Sequence, residues 1–232
     1  MPRRKPSKKS RKPPKGFTRK QSTAVAKIAK QVVMKTTEAK HTHWTGENVQ
    51  LIHNQVAYVD NLMATSQGFD DNQAQGHSNF PAGTDIRDGD MIYLNNINAK
   101  IWFSNKHDRP NVMYRFILFT YDAEEVVNSS LVFFTSGNKM LDRPNNKKIT
   151  VLASKYVKSG PDYTLNAHER SNITAMNVKY SRPKRIQYAD NASTPKNKNL
   201  GLAVVAYDAF GTLQTDNIAS FAYDIKLTWR DP

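Results

Sequence analysis

The side chains best suited to chemistry in this chain are its clustered bases. Arg3, Arg4, Lys5, Lys8, Lys9, Arg11, Lys12, Lys15, Arg19, Lys20, Lys27 and Lys30 all fall before the first acid, Glu38. Such side chains neutralise phosphates and release condensed counterions, an attraction that needs charge density and reach but no fixed geometry. Phe17 is the sole aromatic residue of that stretch, so base stacking is not its expected mode. A nucleic acid is the expected ligand. A nuclear localisation signal or a solubilising tail would use the same composition, and nuclear import is compatible with nucleic-acid binding because one cluster can serve both.

Other constellations are weaker. The stretch TDIRDGD brings Asp85, Asp88 and Asp90 together, with Asp70 and Asp71 upstream. Oxygen ligands of this kind suit calcium, but the spacing misses the twelve-residue calcium loop, and an Asp-Gly turn leading into a strand is the expectation. His41 and His43 would share one face of a strand, yet a metal site needs a third ligand nearby, so they are expected to be ordinary polar side chains. His168 and Glu169, in NAHERSN, are expected at the surface. The sequence has no Walker A loop, GxGxxG after a strand, HExxH or GxSxG elbow. It also has no cysteine, which excludes disulfides, thiolate metal sites and cysteine nucleophiles. No enzyme, cofactor or metal is therefore expected. Trp44, Trp102 and Trp229 are expected in the core, with interface anchoring as the alternative.

These residues must be positioned by three zones of very different composition. Residues 1–40 hold 14 Lys and Arg against one acid, and residues 41–232 hold 20 bases against 19 acids, so a nearly neutral body carries a polycation. Like charge, Pro, Ser and few apolar residues cannot offset chain entropy by burial, which predicts a disordered arm over 1–21. Val25, Ile28, Ala29, Val32 and Val33 have helical spacing, with Lys27, Lys30 and Lys35 elsewhere on the wheel. That predicts an amphipathic basic helix over 22–37, capped by Ser22 or Thr23.

From about residue 38 to 232 the pattern is that of one all-β domain. Phe221, Tyr223, Ile225, Leu227 and Trp229 alternate with polar residues and predict a half-buried strand. Met91–Phe103 predicts a long strand with Met91, Tyr93, Ile97, Ala99, Ile101 and Phe103 on one face. VMYRFILFTY (112–121) follows after a turn, the two reading as a hairpin or as neighbouring strands. Further strands are expected at 40–48, 56–63, 131–134, 148–157, 172–180 and 200–210, and such a series without helical period is the signature of a sandwich or barrel. The polar stretches 64–90 and 181–199 are expected as long surface loops. No apolar run approaches the roughly 20 residues that span a bilayer, so neither a membrane contact nor an export signal is expected.

This layout resembles the coat proteins of very small icosahedral viruses, especially the satellite tobacco necrosis virus type and the capsid proteins of circular single-stranded DNA viruses that encode a replication initiator. DIRDGDMIYLNNINAKIWF and YRFILFTYD resemble that group's turn, long C strand and aromatic-rich D strand; NNKKITVLASKYV resembles its E strand, and LGLAVVAYD and FAYDIKLTW its last two strands. The resemblance implies an eight-stranded jelly roll of two four-stranded antiparallel sheets and a homo-oligomeric shell of sixty copies. It also implies an arm lining the interior on a single-stranded genome, DNA in preference to RNA, and a virion protein that passes through the host nucleus before assembly. Phosphate charge itself does not separate DNA from RNA, and host and receptor are not legible. The insertion at 64–90 departs from the group, so its calcium sites are not carried over. The competing reading is a cellular nucleic-acid-binding protein with a basic tail, against which stands the neutral β domain. A trimeric extracellular jelly-roll ligand or lectin would need an export signal and would leave the arm unexplained.

Overall fold

The computed structural model describes residues 16, 18–37, 39–67, 86–134, 137–159, 170–208, 210 and 212–231. Two units emerge, 1–37 and 38–232. In the first, helix α1 spans Arg19–Thr36. It starts three residues before Ser22 because Thr18 and Gln21 form a reciprocal capping box. The Gln21 amide donates to Thr18 Oγ1 (3.3 Å) and the Thr18 amide donates to Gln21 Oε1 (2.9 Å), satisfying two donors that a helix end otherwise leaves open. The expected caps, Ser22 and Thr23, are instead inside the helix; the Ser22 amide already donates to the Thr18 carbonyl at 2.9 Å. Val25, Ile28 and Val32 are exposed.

The second unit is all-β. Its strands are β1 (Ala39–Ile52), β2 (Val56–Val59), β3 (Met91–Asn105), β4 (Met113–Asp122), β5 (Thr150–Lys158), β6 (Arg170–Gln187), β7 (Lys198–Tyr207) and β8 (Asn217–Arg230). They form two four-stranded sheets, β1-β8-β3-β6 and β2-β7-β4-β5, antiparallel throughout. Each strand pairs with its mirror image in chain order: first with eighth, second with seventh, third with sixth, fourth with fifth. That is a single long hairpin rolled up into two sheets, the jelly-roll topology. The sandwich core lies between them, built from Ile97, Ile101, Phe103, Tyr114, Phe116, Leu202, Val204, Phe221, Ile225 and Trp229 among others.

The two sheets differ on their outer sides, and that difference decides where a ligand can reach the domain. β4 and β7 are buried on both faces, as near-continuous apolar runs require. The chain between β4 and β5 folds over the outside of their sheet and forms a second apolar cluster of Ile117, Phe119, Leu131, Val132, Phe133, Met140 and Ile149. Within it α2, Ser129–Val132, replaces the strand expected at 131–134. Asn128 is the cause, because its Oδ1 accepts from the Leu131 amide at 2.9 Å and from the Ser130 hydroxyl at 2.7 Å, turning the backbone into a helical start. The outer face of β1-β8-β3-β6 alternates with the core face, with Lys100 and Trp102 exposed between buried Ala99, Ile101 and Phe103.

Three further expectations are corrected. β3 and β4 are not a hairpin: they belong to opposite sheets and meet through side chains, the Phe103 ring lying 4.4 Å from that of Tyr114. On β3 the inward residues before the bulge are Ile92 and Leu94, not Met91 and Tyr93. The irregularity between Leu94 and Asn96 shifts the alternation by one residue, so a single parity does not hold along the strand. β6 runs through Pro183 to Gln187, taking in much of the expected 181–199 loop. It is an edge strand with an irregularity opposite Asn95, where a residue without an amide proton is tolerated. The 64–90 loop is described only at its ends, so Asp70, Asp71 and Asp85, like His168 and Glu169, lie outside the described residues.

Candidate nucleic-acid interface

Of the candidate phosphate-binding residues, Arg3, Arg4, Lys5, Lys8, Lys9, Arg11, Lys12 and Lys15 lie outside the described residues. The backbones of Arg19, Lys20, Lys27 and Lys30 belong to α1, and the side chains of Lys20 and Lys27 are exposed.

The acidic and histidine motifs fold into structural contacts. Lys40 Nζ donates to the Ile86 carbonyl (3.0 Å) and to Asp88 Oδ2 (2.9 Å), and lies 3.4 Å from Asp231 Oδ2, tying the start of β1 to the turn before β3 and to the end of β8. The centre of TDIRDGD is Arg87, fully buried, which the acidic pattern hides. Its guanidinium donates to the carbonyls of Gly89 and Ala192 and stacks 4.3 Å from the Tyr188 ring. Burial raises the Tyr188 phenol to about 12, with the Arg87 charge working the other way; its hydroxyl donates to the Met63 carbonyl at 2.7 Å. His43 Nδ1 lies 3.1 Å from Asp224 Oδ1, and its ring is 5.4 Å from that of His41. Among the described residues no group of three or more His, Asp or Glu is placed to hold a metal ion, and no helix is long and apolar enough to cross a membrane.

The feature that net charge concealed is on the open face of β1-β8-β3-β6. Residues 38–232 hold 21 bases and 20 acids, yet these four strands alone hold nine Lys and Arg against Glu47 and Asp224; Lys100, Lys179, Arg185, Lys226 and Arg230 stand in the outward rows, whereas Lys40, Arg170 and Lys184 register with the inward Trp229, Asn105 and Leu94. The rest of the unit is correspondingly acidic. Strand registers align the outward positions in rows across the sheet. One row is Ala39, Arg230, Tyr93 and Arg185; the next is His41, Thr228, Asn96 and Lys179; then His43, Lys226, Asn98 and Asn177; then Thr45, Asp224, Lys100 and Ala175. The following row places Trp102 between Ala222 and Ile173. Trp102 is 56% exposed, whereas Trp229 is buried in the core and Trp44 packs partly buried against it. The core expectation for Trp102 is thus corrected: it points away from the sandwich because it alternates with Ile101 and Phe103.

Comparison with known proteins places the chain in no family: no protein-family model and no curated protein matches it. Solved structures share its outline at low identity. A chain of infectious bursal disease virus, Gx strain, matches at 9% identity and a TM-score of 0.34 over 83% of this chain and 32% of that one. The present chain therefore spans about a third of its length. A turnip yellow mosaic virus chain matches at 10% identity and a TM-score of 0.35 over 85% of this chain and 96% of that one. A CocE/NonD family hydrolase from Staphylococcus aureus scores 0.32 at 11% identity, over 83% of this chain and 37% of the hydrolase. Likeness of this size is shared by virus chains and a hydrolase, and it carries no functional argument.

Proposed function

We propose that this chain is a non-enzymatic structural coat subunit. Its jelly-roll unit packs against further copies to close a shell, sixty in the smallest icosahedral arrangement, and its basic N-terminal segment holds a packaged single-stranded genome. The observation that carries this reading is the charge partition: 13 bases and no acid in residues 1–37, attached to a rolled β unit with 21 bases and 20 acids. A polycation of that density is built for a polyanion and needs no readout of base sequence. The resemblance to small icosahedral coats adds the shell, the virion location, passage through the host nucleus and DNA in preference to RNA. A second reading, a cellular nucleic-acid-binding protein that never assembles, is favoured by the base-rich sheet, since such proteins carry bases on the folded surface.

Packaging is tested by expressing the full chain, treating the lysate with nuclease and extracting the purified protein. Protected single-stranded nucleic acid of defined length is expected, and digestion with DNase or RNase after disruption assigns its type. Complete digestion before disruption would mean that the chain binds nucleic acid without enclosing it.

A further inference from the structure

We propose that the open face of β1-β8-β3-β6 is a second nucleic-acid site, on which single-stranded phosphates run along Arg230, Arg185, Lys179, Lys226 and Lys100 while a base stacks on Trp102. The proposal deepens the packaging reading, because it assigns to the folded unit a contact hitherto given to the basic segment alone.

Three observations converge on it. First, the rows from Arg230 to Lys100 are adjacent along the strands. At about 6.7 Å per pair of residues they extend roughly 20 Å, with neighbouring strands about 4.8 Å apart, a scale that several consecutive nucleotides cover. Second, the face carries more bases than acids. Lys226 stands diagonal to Lys100, whose direct partner across the β8–β3 register is Asp224, so two bases share one acid there. No ion pair joins Lys100, Lys179 or Lys226 to a carboxylate among the described residues; of the two acids on these strands, Asp224 contacts His43 and Glu47 lines the same hollow as Trp102. The Lys226 charge is felt locally, since it joins burial in lowering the His41 pKa. Third, the row beyond Lys100 presents Trp102 and Ile173, 56% and 69% exposed, and an exposed aromatic beside a basic track is the arrangement by which sheets hold single strands without sequence preference. A second copy of the same face is a poor occupant, because apposing two such surfaces would bring like charges together. Electrostatic complementarity selects a polyanion.

The tryptophans give a direct test in the full chain. Residues 1–37 contain no tryptophan, so binding through that segment alone leaves tryptophan emission unaltered. A short labelled single-stranded oligonucleotide is titrated at a concentration where light scattering detects no particles, following both its anisotropy and tryptophan emission. The expected result is binding with quenched emission, loss of the quench in Trp102→Phe, and weakening by roughly 5- to 100-fold in Trp102→Ala. Lys100→Ala with Lys226→Ala should reduce the log-log salt slope by about 1.4, two phosphate contacts at about 0.7 each. Lys179→Ala alone, on the exposed edge strand, should reduce it by about 0.7 and serves if the double variant does not fold. Rising anisotropy with unquenched emission and an unchanged salt slope overturns this proposal and leaves packaging by the basic segment standing. Absence of any binding by the full chain overturns both. An emission change that follows protein concentration without oligonucleotide assigns the face to subunit contact and also overturns it.

Discussion

His53 shows how much chemistry one buried side chain sets. Its Nδ1 accepts the Asp208 amide at 3.2 Å and its ring lies 4.6 Å from that of Tyr207. Burial lowers its pKa, against the opposing pull of Asp208 and Asp216, and Arg109 adds to the lowering. Burial, Lys226 and His43 lower His41 in turn. The folded unit thus prefers neutral rings, whereas the unfolded chain takes up protons near the ordinary value of about 6.5. Stability is full above that value and falls as pH drops below it toward the folded pKa values. Thermal melts at pH 7.5, 6.5 and 5.5 without nucleic acid should show a declining midpoint on acidification. His53→Asn, which keeps an acceptor for the Asp208 amide, should flatten the decline, and a midpoint that rises toward pH 5.5 would contradict this assignment. Neither His53 nor Arg87 stood out in the sequence. A lone histidine between apolar strands has no pattern, and Arg87 sits inside an acidic motif whose carboxylates draw the eye.

At the scale of elements, the connection between β4 and β5 is held down by Arg115. This residue lies on the outer side of β4 and is 3% exposed. Its Nη1 donates to the carbonyls of Lys139 (3.0 Å), Met140 (3.1 Å) and Asp142 (2.6 Å), with the guanidinium 5.3 Å from the Phe133 ring and 5.1 Å from that of Tyr156. Arg115→Met keeps the apolar stem but leaves three carbonyls without their donor, which should cost about 3 kcal/mol and open residues 123–149 to proteolysis before the rest of the unit. A loss below about 1 kcal/mol would show that the apolar cluster alone seats the connection. Elements with one wet face were the most legible: β8 alternates over its length, and its inward residues Phe221, Tyr223, Ile225, Leu227 and Trp229 all pack in or against the core. Legibility failed where pairing is non-local. The β3 bulge reverses which residues face inward, and the mirror pairing places consecutive β3 and β4 in different sheets; the turning of an apolar run into α2 is instead local, set by the Asn128 cap.

For the whole molecule, the near neutrality of residues 38–232 is the sum of a basic sheet and acidic connections. Sixty chains with 13 surplus charges each in residues 1–37 would enclose on the order of 800 positive charges, which only a polyanion cancels at low salt. Nucleic acid should therefore promote closure at low ionic strength. The most direct measurement is the mass of what the purified full chain forms with single-stranded nucleic acid at low salt, by sedimentation velocity and particle imaging together. One uniform species is expected, with protein mass about sixty times the 26.3 kDa of the chain and a hollow, nucleic-acid-filled outline. A nucleic-acid-bound monomer, trimer or open-ended distribution of sizes would contradict the coat-subunit account.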